Sequence, residues 1–267
     1  MKHALAFLLF PVLLSSQAAK EVEITAEPHH HEVFTNDQVR VFDVTIPQHE
    51  ATLLHWHRHD YAIVFIGDSK VVNEVKGKPP VNLSFHDADV AFSPAPFVHV
   101  ARNVADTPAR NIDIEFLQDD QLRKLPAPKA DDARGLQILQ SGTQQILWIK
   151  DGIRASLYEI QPGGVIPSPE FAGPALIVAL NDYVLRSTAH SKAPAAFSLQ
   201  TGEVRWLPEN FSQPMANASD GPARFIAFDF PVQAHRSGAK NRPQQESSRQ
   251  DPQFMPTLGS PKQQQDR

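Results

Sequence analysis

The sequence predicts an all-β protein built as two small barrels or sandwiches in tandem, and three observations carry that prediction. The chain repeats itself: shifted by 114 residues without a gap, positions 33–116 match 147–230 at 19 of 84 places. Roughly 5 matches are expected for unrelated chains of ordinary composition. Apolar residues alternate with polar ones or run in short solid blocks, and past the N-terminal apolar run no window keeps a 3.6-residue period for three turns. The 23 prolines against 12 glycines favour rigid turns and short strands over long helices. With 267 residues, 41% hydrophobic and 21% charged, the chain has room for two such units, and wholesale disorder is excluded.

Residues 1–18 read as an export signal. Lys2 and His3 precede the apolar run Ala4 to Leu14, and small residues at Ser16 and Ala18 mark a cut after Ala18. The run is short of the roughly 20 residues a membrane-spanning helix needs, so the mature chain is expected to be exported to the periplasm or the medium, with no membrane span. The first unit covers 19–118. Its opening His29-His30-His31-Glu32 is read as a solvated loop ahead of the first strand. Val39 to Ile46 alternates with period 2. Tyr61 to Ile66 is a solid apolar run ending at Gly67-Asp68, the pattern of a strand buried on both faces that enters a turn. Ile112 to Phe116 alternates again.

Asp119-Asp120 and Pro126 to Asp132 mark a polar linker over 119–135. The second unit, 136–233, repeats the order of the first. Ile177 to Asp182 stands where Ile63 to Asp68 does, Asp220 to Ile226 mirrors Asp106 to Ile112, and Val204 to Leu207 alternates. Arg40 and its repeat Arg154 are expected to pair with acids such as Asp37. From residue 234 to 267 the chain is rich in Gln, Ser and Pro, with six basic residues against three acidic ones, and reads as a tail outside the fold.

Histidine carries the chemical signal. His55, His57 and His59 recur at every second residue, and in a strand that spacing puts all three on one face. Buried imidazoles facing one another are costly unless something satisfies their lone pairs, and a divalent metal does so. One strand cannot surround an ion, so a distant histidine is required, and His99 is the candidate. These residues resemble the cupin family. Its first motif is approximated by His55-x-His57 and Gly67, and its second by Pro94, His99 and Asn103, with Pro96 where the family has glycine. The position of the family glutamate holds Tyr61, with Asp60 one residue short.

The resemblance covers 33–230 and implies a bicupin: two double-stranded β-helix (jelly-roll) barrels, the first holding one Fe, Mn, Zn, Ni or Cu ion on His55, His57 and His99. The fourth position is left to His59, Asp60, Tyr61 or water, and Asp60 or Tyr61 is expected to handle a proton. In the second unit the ligand positions become Pro169, Phe171 and Gln213 while Pro208 and Asn217 remain, so that barrel is expected to be metal-free. Trp56 is expected to point away from the histidines into packing.

The net charge of −5 and pI near 6.2 argue against a nucleic-acid partner. The absence of cysteine removes thiol catalysis, Cys-ligated zinc and iron–sulfur clusters. What the resemblance implies is a metal-dependent enzyme, dioxygenase-like, acting on a small oxygenated substrate. The alternative is a non-catalytic secreted module that binds metal, sugar or cell-envelope material. Dimerisation through sheet edges is a further expectation.

Overall fold

The computed structural model describes residues 20–124, 135–167, 173–188, 196–209, 211 and 213–231. The leader, the tail, residues 125–134 of the linker, Pro169 and Phe171 lie outside the described residues. The first barrel contains β1 (Val22–Glu23), β2 (His30–Thr35), β3 (Val39–Ile46), β4 (His55–His57), β5 (Tyr61–Phe65), β6 (Ser69–Val75), β7 (Val81–Phe85), β8 (Val90–Ser93), β9 (Phe97–Asn103) and β10 (Ala109–Phe116). They form two five-stranded sheets, ordered β1-β4-β9-β6-β7 and β2-β3-β10-β5-β8. The second barrel is one continuous sheet, made from β11 (Gly135–Lys150), β12 (Ile153–Ile166), β13 (Ala175–Ala179), β14 (Tyr183–Ser187), β15 (Ala196–Leu199), β16 (Val204–Leu207), β17 (Met215–Asn217) and β18 (Ala223–Asp229). Among the described residues the sole α-helix is α1 (Asp119–Leu122), a single turn.

The duplication is written into the hydrogen bonds. Buried Asn103 donates through Nδ2 to the carbonyls of Ile46 and Thr107 and accepts the amide of Ala105. Asn217 makes the same set to Ile160, Gly221 and Ser219, each partner 114 residues on. Arg40 pairs with Glu115, and Arg154 with Asp229. The expected partner of Arg40, Asp37, is therefore replaced by an acid on β10, the strand that lies beside β3. Sequence proximity suggested the first acid; strand register selects the second.

The solid apolar runs have a physical reason. Along β5, Ala62 and Val64 face a core shared with the second barrel, while Tyr61, Ile63 and Phe65 face the interior of the first. Along β13, Leu176 and Val178 join the shared core, and Ala175, Ile177 and Ala179 face the second interior. Both faces are dry, so alternation disappears. Phe92, Ile112, Ile114 and Phe116 meet Trp148, Ile153, Ile226 and Phe228 in that shared core, which holds the barrels together.

Polar contacts at its rim repeat with the duplication. Arg224 pairs with Asp87 at 2.9 Å, and its repeat-mate Arg110 lies against Gly202, in the turn that corresponds to Ala88. Gly202 has φ +86°, and an added Cβ would meet the Arg110 guanidinium. Gly202→Ala is therefore expected to cost about 1–2 kcal/mol from the left-handed backbone alone, plus displacement of Arg110, read as a lower urea midpoint with an unchanged m-value.

Residues 119–124 do not behave as linker. The helical turn α1 carries Asp119 and leads to Arg123, and both reach back into the first barrel.

Candidate metal centre

The site starts from a register. On β4 and β9, His55 stands directly opposite His99, and β4 alternates buried His55, half-buried Trp56 and buried His57. Trp56 points outward under the Arg58 guanidinium, 4.6 Å from its ring centroid. His55 Nε2 lies 3.1 Å from His57 Nε2 and 3.1 Å from His99 Nε2. Two imidazole nitrogens about 2.1 Å from one ion and near a right angle apart would be separated by about 3 Å.

Neighbouring groups settle which nitrogen carries hydrogen. Carbonyl oxygens only accept, so His55 Nδ1 donates to Leu53 O at 2.8 Å and His99 Nδ1 donates to Asn73 Oδ1 at 2.7 Å. Both Nε2 atoms are then bare lone pairs facing each other at 3.1 Å. A hydrogen on His57 Nε2 could serve His55 only, and it would leave the His99 Nε2 lone pair unanswered. A cation shared by the three Nε2 atoms satisfies all of them, so the donor set fits a transition metal. Burial also keeps the rings neutral, the ligating form: His55 is pushed down to about 4, and His57 and His99 well below the usual histidine range.

His30 belongs to this cluster, and the sequence reading as a solvated loop is overturned. It opens β2, is 8% exposed, and its ring centroid lies 4.7 Å from that of His55. Nitrogens of His30, His55 and His57 all fall within 4.8 Å of one another, which defines a second three-histidine group overlapping the first. Of the four rings, His55, His57 and His99 have Nε2 atoms turned toward one another, whereas both His30 nitrogens face carboxylates: Nδ1 meets Glu27 at 2.6 Å and Nε2 meets Asp113 at 3.6 Å. Burial would push His30 down, but Asp113 and Glu27 outweigh it and raise it to about 9, so it is a cation without a lone pair to offer. Glu27 is fixed in turn by His29, His30 and the Leu53 amide. The Glu27-x-x-His30 spacing was the one sequence signal for this pair. A bulge between Glu32 and Phe34 spoils the alternation that would have marked β2.

Asp60 does not reach the cavity. It is 2% exposed and accepts from the Ala95 amide at 2.7 Å and from Arg123 Nε at 2.7 Å, with Arg123 Nη2 on its other oxygen. Arg123 also binds Asp119, which receives the Asp60 amide. The expected proton-handling role of Asp60 is thus replaced by a structural clamp. His59 turns to Asp119 at 3.7 Å, outside the trio. Tyr61 does face the site, its ring stacked on His57 at 4.2 Å, and burial holds its phenol far above the usual range, so it stays protonated.

A cavity of about 540 Å³, partly open to solvent, adjoins the trio. His55, His99, His30, Tyr61 and Asp113 line it beside an apolar wall that includes Ile63, Phe65 and Phe85. Asp113, which sequence reasoning missed, sits two residues after Asn111 on β10 and accepts from Asn111 Nδ2 at 2.6 Å. The matching cavity of the second barrel, about 290 Å³, has among its described lining residues only Tyr158, Met215, three Phe and apolar aliphatic side chains.

No family model and no curated protein sequence matches the chain. Solved structures do. Oxalate decarboxylase from Lactobacillus farciminis, in complex with formate, aligns at TM-score 0.52 and 14% identity, over 74% of this chain and 78% of that one. Oxalate decarboxylase from Bacillus subtilis, an enzyme with Mn(II) centres, aligns at 0.52 and 13%, over 74% and 71%. AerE from Microcystis aeruginosa aligns at 0.52 and 14%, over 76% of this chain and 97% of AerE. Identities this low show the fold: this is an all-β protein of two cupin-type barrels. Its first barrel carries a cluster of buried histidines with the composition and spacing of a metal site.

Proposed function

We propose that this protein is an exported, metal-dependent cupin enzyme, oxidoreductase-like, acting on a small oxygenated substrate, with a metal-free second barrel that serves as a packing partner. The observation that carries the reading is the convergence of His55, His57 and His99 Nε2 with hydrogen already committed to Nδ1 on two of the three rings. When bound, a divalent ion there would polarise a substrate oxygen as a Lewis acid or exchange electrons.

The chain's own residues then have separate tasks. His30, held cationic between Glu27 and Asp113, places positive charge beside the trio. Asp113, anchored by Asn111 and lining the cavity, is the carboxylate positioned to take or return a substrate proton. Tyr61 occupies the place of the cupin glutamate and donates rather than accepts, because its phenol keeps its proton. The apolar wall gives one side of that region a surface without hydrogen-bonding groups.

Elemental analysis of the mature, untagged protein tests this. About one equivalent of a transition metal is expected in the wild type and less than a tenth of that in His57→Ala, with the variant still folded by circular dichroism. Metal absent from both after reconstitution with Mn, Fe, Ni, Cu and Zn overturns the reading.

A further inference from the structure

Resting on the metal reading just given, we propose that the cavity of the first barrel selects a compact monoanion: a single carboxylate or enolate group for the ion, attached to an apolar body of about the size of an arene. Three observations point this way. First, no Lys or Arg lines the cavity among the described residues, whereas Asp113 does, and both nitrogens of its neighbour His30 already face the carboxylates of Glu27 and Asp113. A second anionic group on the ligand would meet Asp113 with no cation to offset it.

Second, apart from the Tyr61 phenol, the polar side chains of the lining are engaged with the protein. Thr52 takes the Ala101 amide, Asn73 takes His99, Asn111 gives to Asp113, and His55 gives to Leu53. A polyol would leave many of its hydroxyls without partners, each a desolvation cost. Third, the opposite wall is built from Ile63, Phe65, Val71, Leu83 and Phe85, with the Phe65 and Phe85 rings stacked at 3.8 Å. Those stacked aromatic faces suit a flat apolar body laid against them, which a two-carbon acid lacks.

The test is calorimetric titration of the full mature protein reconstituted with Mn(II) or Fe(II), its metal content measured first. Four probes share one carboxylate and differ in body: acetate, phenylacetate, 4-carboxyphenylacetate and gluconate. Phenylacetate is expected to bind at least tenfold tighter than acetate, whereas 4-carboxyphenylacetate and gluconate gain nothing over acetate. Phe85→Ala should bring phenylacetate back towards acetate, and Asp113→Asn should tighten 4-carboxyphenylacetate several-fold at unchanged metal content. Metal-loaded protein that prefers the dianion or gluconate, or that binds phenylacetate no better than acetate, overturns the ligand class and leaves the metal reading standing. Protein that takes up no ion overturns both.

Discussion

Metal-stripped protein is expected to lose stability steeply as pH falls from about 6.5 to about 4. In that window unfolded histidine gains a proton, while folded His55, depressed to about 4 by burial and by the charge of His30, does not. The unfolded chain therefore binds more protons, and stability falls with pH. A depression from 6.5 to about 4 is worth about 3 kcal/mol at the acid end for His55 alone, and His57 and His99, buried beside it and each other, shift in the same direction. His30 works the other way. Its value is raised to about 9, so its contribution is complete below 6.5 and is lost as pH rises through 9. Urea midpoints of the metal-free protein at pH 4.5, 6.5 and 9 should peak near the middle. His30→Gln should flatten the alkaline limb, and an acid limb no steeper than that of a His57→Ala protein would count against the buried neutral cluster.

Asp60→Ala is expected to destabilise the protein by about 3 kcal/mol while leaving its metal content unchanged. The substitution removes both Arg123 contacts and the acceptor of the Ala95 amide, and it leaves the guanidinium with Asp119 and the more exposed Asp120. Breaking a buried ion pair typically costs about 3–5 kcal/mol, and the partial exposure of Arg123 places this one at the lower end. Arg123→Ala should produce a similar loss, and the double variant should fall well short of the sum, since the two act as one unit. A protein whose stability is untouched but whose turnover collapses would return Asp60 to the chemistry and remove it from the clamp.

The pairing of Asp60 with Arg123 also explains why residues 119–124 are ordered although their composition predicts a linker. Asp119-Asp120 has the composition of a linker, and nothing local distinguishes it from one. Its order comes from Asp60, some 60 residues earlier, which meets Arg123 only after β5 and β10 have paired. Arg40 is a similar case: Asp37 is near in sequence, but antiparallel pairing of β3 and β10 places Glu115 opposite Arg40.

By itself the sequence determined whatever is periodic or repeated: the all-β class, the 114-residue duplication, the two-faced burial of β5 and β13, and the common face of His55 and His57. Each follows from a side-chain period of 2 or from self-similarity, which a chain displays before it folds. The tertiary structure decided what depends on register between distant strands. It brought His30 from the N-terminal segment to the ring of His55, set Asp113 at the cavity, and turned Asp60 away from it. A one-residue slip of β2 would move His30 to the opposite face, and no local pattern guards against it because the strand is bulged and mostly exposed. Of the partners that hold it, Glu27 is three residues away, but Asp113 lies on β10 and comes near only when β2, β3 and β10 have paired.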